Sequence, residues 1–145
     1  MKLFLDNNLP LSLAKALNAL IEPYSHQAVH LQDEFEHNTP DLEWIATLKK
    51  QRNCIILSND RFKEYAAERK ALAESGLVVF WLSGKQWGKL KLLEKNLSVL
   101  EWTNAILNHA EPALAEAMRT GKGSIWAMKY MPNRREYKFE RERLA

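Results

Sequence analysis

The chain has 145 residues, 46% of them hydrophobic and 27% charged, which is the composition of one soluble globular domain with its own core. No apolar stretch approaches the roughly 20 residues that span a bilayer, and the opening Leu-Phe-Leu is too short for the apolar part of a signal peptide. The single cysteine, Cys54, excludes an internal disulfide. We therefore expect a cytoplasmic protein with no membrane partner.

The net charge of +3 is unevenly distributed, because the basic residues are concentrated toward the C-terminus. From residue 119 onward the chain carries Arg119, Lys122, Lys129, Arg134, Arg135, Lys138, Arg141 and Arg143 against Glu136, Glu140 and Glu142. A basic end is typical of a nucleic-acid or acidic-partner surface, and a solvated segment is the alternative. We accordingly predict a domain over residues 1–118 and a basic aromatic extension over residues 119–145.

The first half of the chain alternates between short apolar runs, typical of buried strands, and amphipathic stretches with helical spacing. In chain order the pattern predicts a strand ending at Asp6, a helix over 9–21, a weak strand over 28–31, a polar loop over 32–40, a helix from Asp41, a strand over 54–57 and a helix over about 61–74. Either Asp41 or Thr39 is expected to cap the helix that begins there.

The second half opens with a strong apolar run over 77–82, whose two apolar faces predict a strand covered above and below. Helices are predicted over 87–101 and 102–118, the second interrupted at Pro112. Residues 124–131 and 136–140 flank a Pro-Asn turn and predict a β-hairpin, with a helical tail as the alternative. The order of elements indicates an α/β domain with a mainly parallel sheet.

Acidic residues stand at the ends of these elements. Asp6 and Asp60 each follow a buried strand, and Asp41 and Glu43 lie at a helix start. Ligands of open parallel sheets bind at the carboxyl ends of the strands, and Mg²⁺ and Mn²⁺ prefer carboxylate oxygens. Taken singly, Asp41 has the alternative role of a helix cap, and Asp60 that of a helix start.

Several of these segments resemble, in the same order and at similar spacing, PIN-like domains, and in particular the VapC-type toxin ribonucleases of toxin–antitoxin pairs. The resemblance covers about residues 2 to 107 and is carried by Leu3–Pro10, His30–Asp33, Asp41–Ile45, Ile55–Arg61 and Glu68–Leu72. It implies a three-layer α/β sandwich with a mainly parallel sheet, to which the C-terminal hairpin or tail is added.

The resemblance also implies an endoribonuclease that depends on Mg²⁺ or Mn²⁺. Asp6, Asp41 and Asp60 match the metal-binding and catalytic acids of the family, Glu43 is a reserve member of the catalytic set, and Asp33 is a further reserve. An RNA substrate, a cognate antitoxin and a homodimer are the implied partners.

Asn7 departs from the family pattern, since relatives often carry a second acid at this position. A neutral amide lowers the charge of the site, and we assign Asn7 to substrate binding together with Arg61 and Arg69, whose guanidinium groups suit phosphate. A non-catalytic PIN-like module that binds RNA or a partner, and another metal-dependent phosphohydrolase, are the alternatives.

Overall fold

A computed structural model describes residues 1–51, 53–59, 66–82, 91–131 and 136–142. Six strands form one sheet in the order β2-β1-β3-β4-β5-β6. They are β1 Lys2–Leu5, β2 Gln27–His30, β3 Cys54–Ser58, β4 Val78–Leu82, β5 Ser124–Met131 and β6 Glu136–Glu142. The first five strands are parallel and β6 is antiparallel to β5. This confirms the mainly parallel sheet and the C-terminal hairpin, while the Pro-Asn turn between β5 and β6 lies outside the described residues.

Helices cover both faces of the sheet. Within the described residues they are α1 Leu11–Ile21, α2 Leu31–Glu34, α3 Asp41–Leu48, α4 Ala66–Ala73 and α5 Leu92–Thr120, with a 3₁₀ turn over Glu22–Tyr24. Apolar side chains of α1 and α5 pack on one face, which we call the α1/α5 face. Those of α2, α3 and α4 pack on the other, which we call the α3/α4 face. The predicted three-layer α/β sandwich is confirmed.

Alternation along each strand decides which side chains meet which helices. In β1, Leu3 and Leu5 belong to the core of the α1/α5 face, and Phe4 between them belongs to that of the α3/α4 face. In β4, Phe80 faces α5 and Val79 faces α3 and α4. These three side chains of β1 are fully buried, which explains why this part of the strand is apolar on both faces.

The long helix α5 corrects the sequence analysis. We predicted two helices with an interruption at Pro112, but residues 92–120 form one helix that contains it, and Trp87 lies outside the described residues. A proline inside a helix costs roughly 3 kcal/mol. Buried side chains on both sides of Pro112 fix this helix on the sheet, and their packing outweighs that cost; they are Ile106, Ala110, Ala113, Leu114 and Ala117.

Two smaller predictions were also wrong. The polar loop predicted over 32–40 begins inside α2, whose first residue, Leu31, is buried. Neither Asp41 nor Thr39 caps α3, because Pro40 holds the cap position without a side-chain hydrogen bond. The division of the chain at residue 118 stays a prediction, with β5 paired to β4 within the same sheet. Within the described part of the chain, no helix has the length and apolar character needed to cross a membrane.

Candidate functional site

The carboxyl ends of β1, β3 and β4 form what we call the carboxyl edge of the sheet, and Asp6 lies there directly after β1. β1 and β3 pair in register up to Leu5 and Leu57, so Asp6 and Ser58 stand side by side. The Ser58 hydroxyl donates a 2.8 Å hydrogen bond to Asp6 Oδ2. Asp6 is only 7% exposed and Ser58 is fully buried. A largely buried carboxylate therefore ends β1, as the sequence predicted, and a serine that was not predicted holds it.

The loop after β1 is fixed around this carboxylate. The Asn7 amide donates to Asp6 Oδ1 at 2.7 Å, and the Leu9 amide donates to the Asp6 carbonyl at 2.9 Å. The Asn8 side chain reaches the next loop, since its Nδ2 lies 3.5 Å from Ser58 Oγ and its Oδ1 accepts from the Asn59 amide at 3.3 Å. Asn7 and Asn8 are exposed residues, so a ligand can approach their side-chain amides.

His30 anchors the same loop from the other neighbouring strand. Its Nδ1 accepts from the Gln32 amide at 3.1 Å, which requires that this nitrogen carry no proton. Its Nε2 therefore carries the proton and donates to the Leu9 carbonyl at 2.6 Å. The ring is 1% exposed. This role of His30 was not predicted from the sequence, and the available signal was its position at the end of β2, which pairs with β1.

Asp41 lies at the same edge and on the same face as Asp6. Asp6 follows Phe4 by two residues and so projects from the α3/α4 face. α3 packs on that face and runs back toward the amino end of β3, which directs its N-terminus to the carboxyl edge. Asp41 is the first residue of α3, is half-buried, and accepts a 2.9 Å bond from the Trp44 indole Nε1 on Oδ1. The fully buried Trp44 thereby orients this carboxylate.

The other predicted site residues have different surroundings. Glu43 is exposed on α3, and Asp33 accepts from the His30 amide at 3.1 Å as part of the cap of α2. Arg69 is half-buried on α4. Asp60 and Arg61 lie outside the described residues. Within the described ranges no three His, Cys, Asp or Glu residues are grouped for a metal ion, so the triad of Asp6, Asp41 and Asp60 stays a prediction.

The chemistry of this donor set nevertheless fits a hard divalent cation. The Asp6 carboxylate accepts hydrogen bonds on both oxygens, and carboxylate oxygens are hard ligands of the kind that Mg²⁺ and Mn²⁺ prefer. Sites for Mg²⁺ commonly use one or two carboxylates, with water and substrate phosphate completing the coordination. Asp6 with Asp41 meets that requirement in kind, and Asn7 and Asn8 add neutral oxygen donors.

The described basic residues of the C-terminal hairpin are paired with acids. Arg141 Nη1 donates to both carboxylate oxygens of Glu116, at 2.8 and 3.0 Å, and its hydrogen bond and charge lower the pKa of Glu116. Lys129 bonds to Glu140 at 2.7 Å and, with Lys138, lowers the pKa of Glu140. These described pairs favour the interpretation of this segment as a solvated surface that fastens β6 to β5 and α5.

Comparison with known proteins agrees with the fold. A family model described as a PIN-like domain matches residues 1–84, which is more than half of the chain and contains β1 to β4. No curated protein and no solved structure matches the chain. PIN-like domains are a nuclease-type fold family, commonly hydrolytic, and usually use divalent metal ions. The chain belongs to the PIN-like domain family.

Proposed function

We propose that the protein is an endoribonuclease that depends on Mg²⁺ or Mn²⁺ and hydrolyses RNA phosphodiesters. The observation that carries the proposal is the carboxylate of Asp6, held by Ser58 at the carboxyl edge of the parallel sheet. Ligands of open α/β sheets bind at this edge, and the chain belongs to a nuclease-type family. An acidic residue held in place by a hydrogen bond at the edge where such ligands bind suits a metal-assisted hydrolase.

In this proposal Asp6, Asp41 and Asp60 hold the metal, with Glu43 in reserve. A bound divalent ion would supply an activated water and stabilise the charge that develops on phosphorus. The protein's own contribution is placement. Ser58 fixes the Asp6 carboxylate from one side, and the exposed amide of Asn7 is available to the RNA. Arg61 and Arg69 are assigned to the RNA phosphates.

The proposed biological setting is a toxin–antitoxin pair in the cytoplasm, in which this chain is the toxin and forms a homodimer. The support is the resemblance of five ordered segments to VapC-type toxins, from Leu3–Pro10 to Glu68–Leu72. The neighbouring reading frame tests this setting. A small adjacent gene for a DNA-binding protein that co-purifies with the chain and suppresses its activity is the expected result.

A second candidate is a PIN-like module that binds RNA or a partner without cleaving it. The observation that favours it is Asn7, which stands where relatives often carry a second acid. A site with less negative charge binds a divalent ion more weakly, since the metal's affinity follows the charge of its ligands.

Replacement of Asp6 by Asn tests the nuclease. Asn preserves the shape, and the Ser58 hydroxyl can accept a bond from its amide, so the fold is retained while the charge is removed. We expect RNA cleavage in Mg²⁺ or Mn²⁺ to fall by about 100-fold or more, as when other electrostatic stabilisers of a transition state are removed. Glu111→Gln, an exposed position on α5, is the matched control and keeps full activity.

The outcomes separate the candidates. Cleavage that stops with a chelator and with Asp6→Asn supports the nuclease. RNA binding that survives Asp6→Asn, with no cleavage at any metal concentration, favours the binding module instead. Turnover of small phosphate esters without cleavage of RNA assigns the site to a different phosphohydrolase.

A further inference from the structure

Trp81 lies in the same row of side chains as Asp6 and Ser58. β3 and β4 pair in parallel with Ser58 opposite Trp81, and Asp6 stands beside Ser58 on β1. Paired residues of neighbouring strands project from the same face of a sheet. The carboxylate, the hydroxyl and the indole therefore follow one another along the carboxyl edge, on the α3/α4 face.

The indole packs on the core but is only partly buried. Trp81 packs against the core of the α3/α4 face, yet it is half-buried, whereas Val78, Val79 and Phe80 before it are at most 1% exposed. Its neighbour on β5 is Ala127, whose small side chain leaves room for a large ring. The full burial of β4 thus ends at Trp81, at the carboxyl edge.

The spacing along this row suits a nucleotide. Neighbouring strands lie about 4.8 Å apart, so the backbones that carry Asp6 and Trp81 are separated by two strand spacings, or about 10 Å. That is a separation on the scale of a single nucleotide. A phosphate held near Asp6 would place an adjoining base within reach of the indole.

We propose that Trp81 stacks on a base of the RNA beside the phosphodiester at Asp6, and so selects substrates whose base at that position is unpaired. The inference rests on the proposed function. Proteins that bind single strands use aromatic rings in this way, because every base presents a π face, whereas a paired and stacked base cannot be received by the ring.

A purely structural Trp81 would pack on the core without contacting RNA, and the two roles differ in their dependence on the base. We compare two proteins that both carry Asp6→Asn, so that RNA stays intact. One keeps Trp81 and the other also carries Trp81→Leu. Each is titrated with single-stranded RNA and with copies lacking one base at successive positions. Trp126→Leu is the matched control, since Trp126 is also half-buried but belongs to the opposite face.

We expect Trp81→Leu to raise the dissociation constant about tenfold, the typical effect of losing one stacked base. Removing one particular base from the RNA should weaken its binding to the protein that keeps Trp81 by a similar factor. The same change should leave binding to the Trp81→Leu protein unaltered. Trp126→Leu should keep the full sensitivity to that base. Equal sensitivity in Trp81→Leu overturns the inference, even where binding as a whole is weaker.

A second measurement covers the case in which Trp81→Leu does not fold. RNA with iodouracil at the sensitive position is irradiated on the Asp6→Asn protein, and the attached peptide is identified. Attachment at Trp81 supports the stacking contact, and attachment only elsewhere overturns it. If the native chain cleaves RNA but binding shows no dependence on a base at Trp81, the stacking inference is wrong and the proposed nuclease function stands. If the chain neither cleaves nor binds RNA, both are wrong.

Discussion

The two edges of the sheet are held by different kinds of contact. At the carboxyl edge two side chains meet directly, as in the 2.8 Å bond from Ser58 to Asp6 and the approach of Asn8 to Ser58. At the opposite edge, which we call the amino edge, backbone groups of a helix and a strand approach each other closely. The Gly123 amide donates to the Ala73 carbonyl at 3.0 Å, where the end of α4 meets the start of β5.

The difference indicates which property each edge controls. Side-chain contacts can be exchanged without moving the chain, so a carboxyl edge built from them can change its chemistry while the fold persists. Backbone contacts at close approach admit no such exchange. We therefore expect substitutions at the carboxyl edge to lower the activity of the folded protein as well as its stability. Substitutions at the amino edge should lower stability alone.

The largest expected effect is that of Gly123→Ala at the amino edge. A Cβ at this position would lie 1.9 Å from the Leu72 carbonyl oxygen and 2.9 Å from that of Leu77. Both are backbone atoms, so strands and helix must separate. We expect the free energy of unfolding, measured with denaturant, to fall by about 3 kcal/mol or more, while RNA cleavage per folded molecule is unchanged.

Gly121→Ala is the matched control for this close approach. Gly121 ends α5 at φ 68°, and a Cβ there would meet no atom within 4 Å. Its cost is that of positive φ alone, about 1 kcal/mol. A loss in Gly123→Ala no larger than that in Gly121→Ala would contradict the backbone contact.

A pair of serines compares the edges directly. Ser58 donates to Asp6 at the carboxyl edge. Ser75, at the amino edge, donates to the Leu72 carbonyl at 2.7 Å and accepts from the Leu77 amide at 3.0 Å. Both are buried. Each change to Ala should cost about 2 kcal/mol of unfolding free energy, but only Ser58→Ala should also lower cleavage, by about tenfold, as loss of a ligand's supporting bond does.

Cleavage is compared at a temperature where both serine variants are fully folded. An equal loss of activity in Ser75→Ala would break the distinction between the edges. Retained activity in Ser58→Ala would show that the bond to Asp6 stabilises the fold without placing the carboxylate for chemistry.

The sequence predicted the parts of this arrangement that depend on local pattern. Short apolar runs predicted β1 and β3 as buried strands, and the position of Asp6 directly after the first run predicted it as a site residue. The bond from Ser58 could not be predicted, because it depends on the register between strands that are about 50 residues apart in the chain. The role of His30 was not predicted for the same reason, since its contact with Leu9 requires that β2 lie beside β1.

The error at Pro112 has the opposite origin. The local rule is sound, since proline removes a helical hydrogen bond. It was overruled by packing, because Ala110 and Ala113 on either side are buried against the sheet. Burial of a helix face contributes more than one lost bond, and the pattern of one segment does not reveal how much of its face the sheet will cover.

The smallest expected effect concerns Cys54, which begins β3 at the amino edge and is 3% exposed. Burial, the largest cause, raises the pKa of its thiol from 9.0 to about 11. An unfolded chain ionises this thiol near 9.0, whereas the folded chain keeps the proton. The stability that the thiol provides is therefore fully present below pH 9.0 and is lost as the pH rises toward about 11.

Cys54→Ala isolates this contribution, since other groups that titrate in alkali cancel in the difference. Relative to Cys54→Ala, the unmodified chain should lose on the order of 1 kcal/mol of unfolding free energy over the first pH unit above 9.0. Ser58→Ala should leave this slope unchanged, because it alters the other edge. A difference between the two chains that does not vary with pH would mean that the thiol is as open to water in the folded state as in the unfolded one.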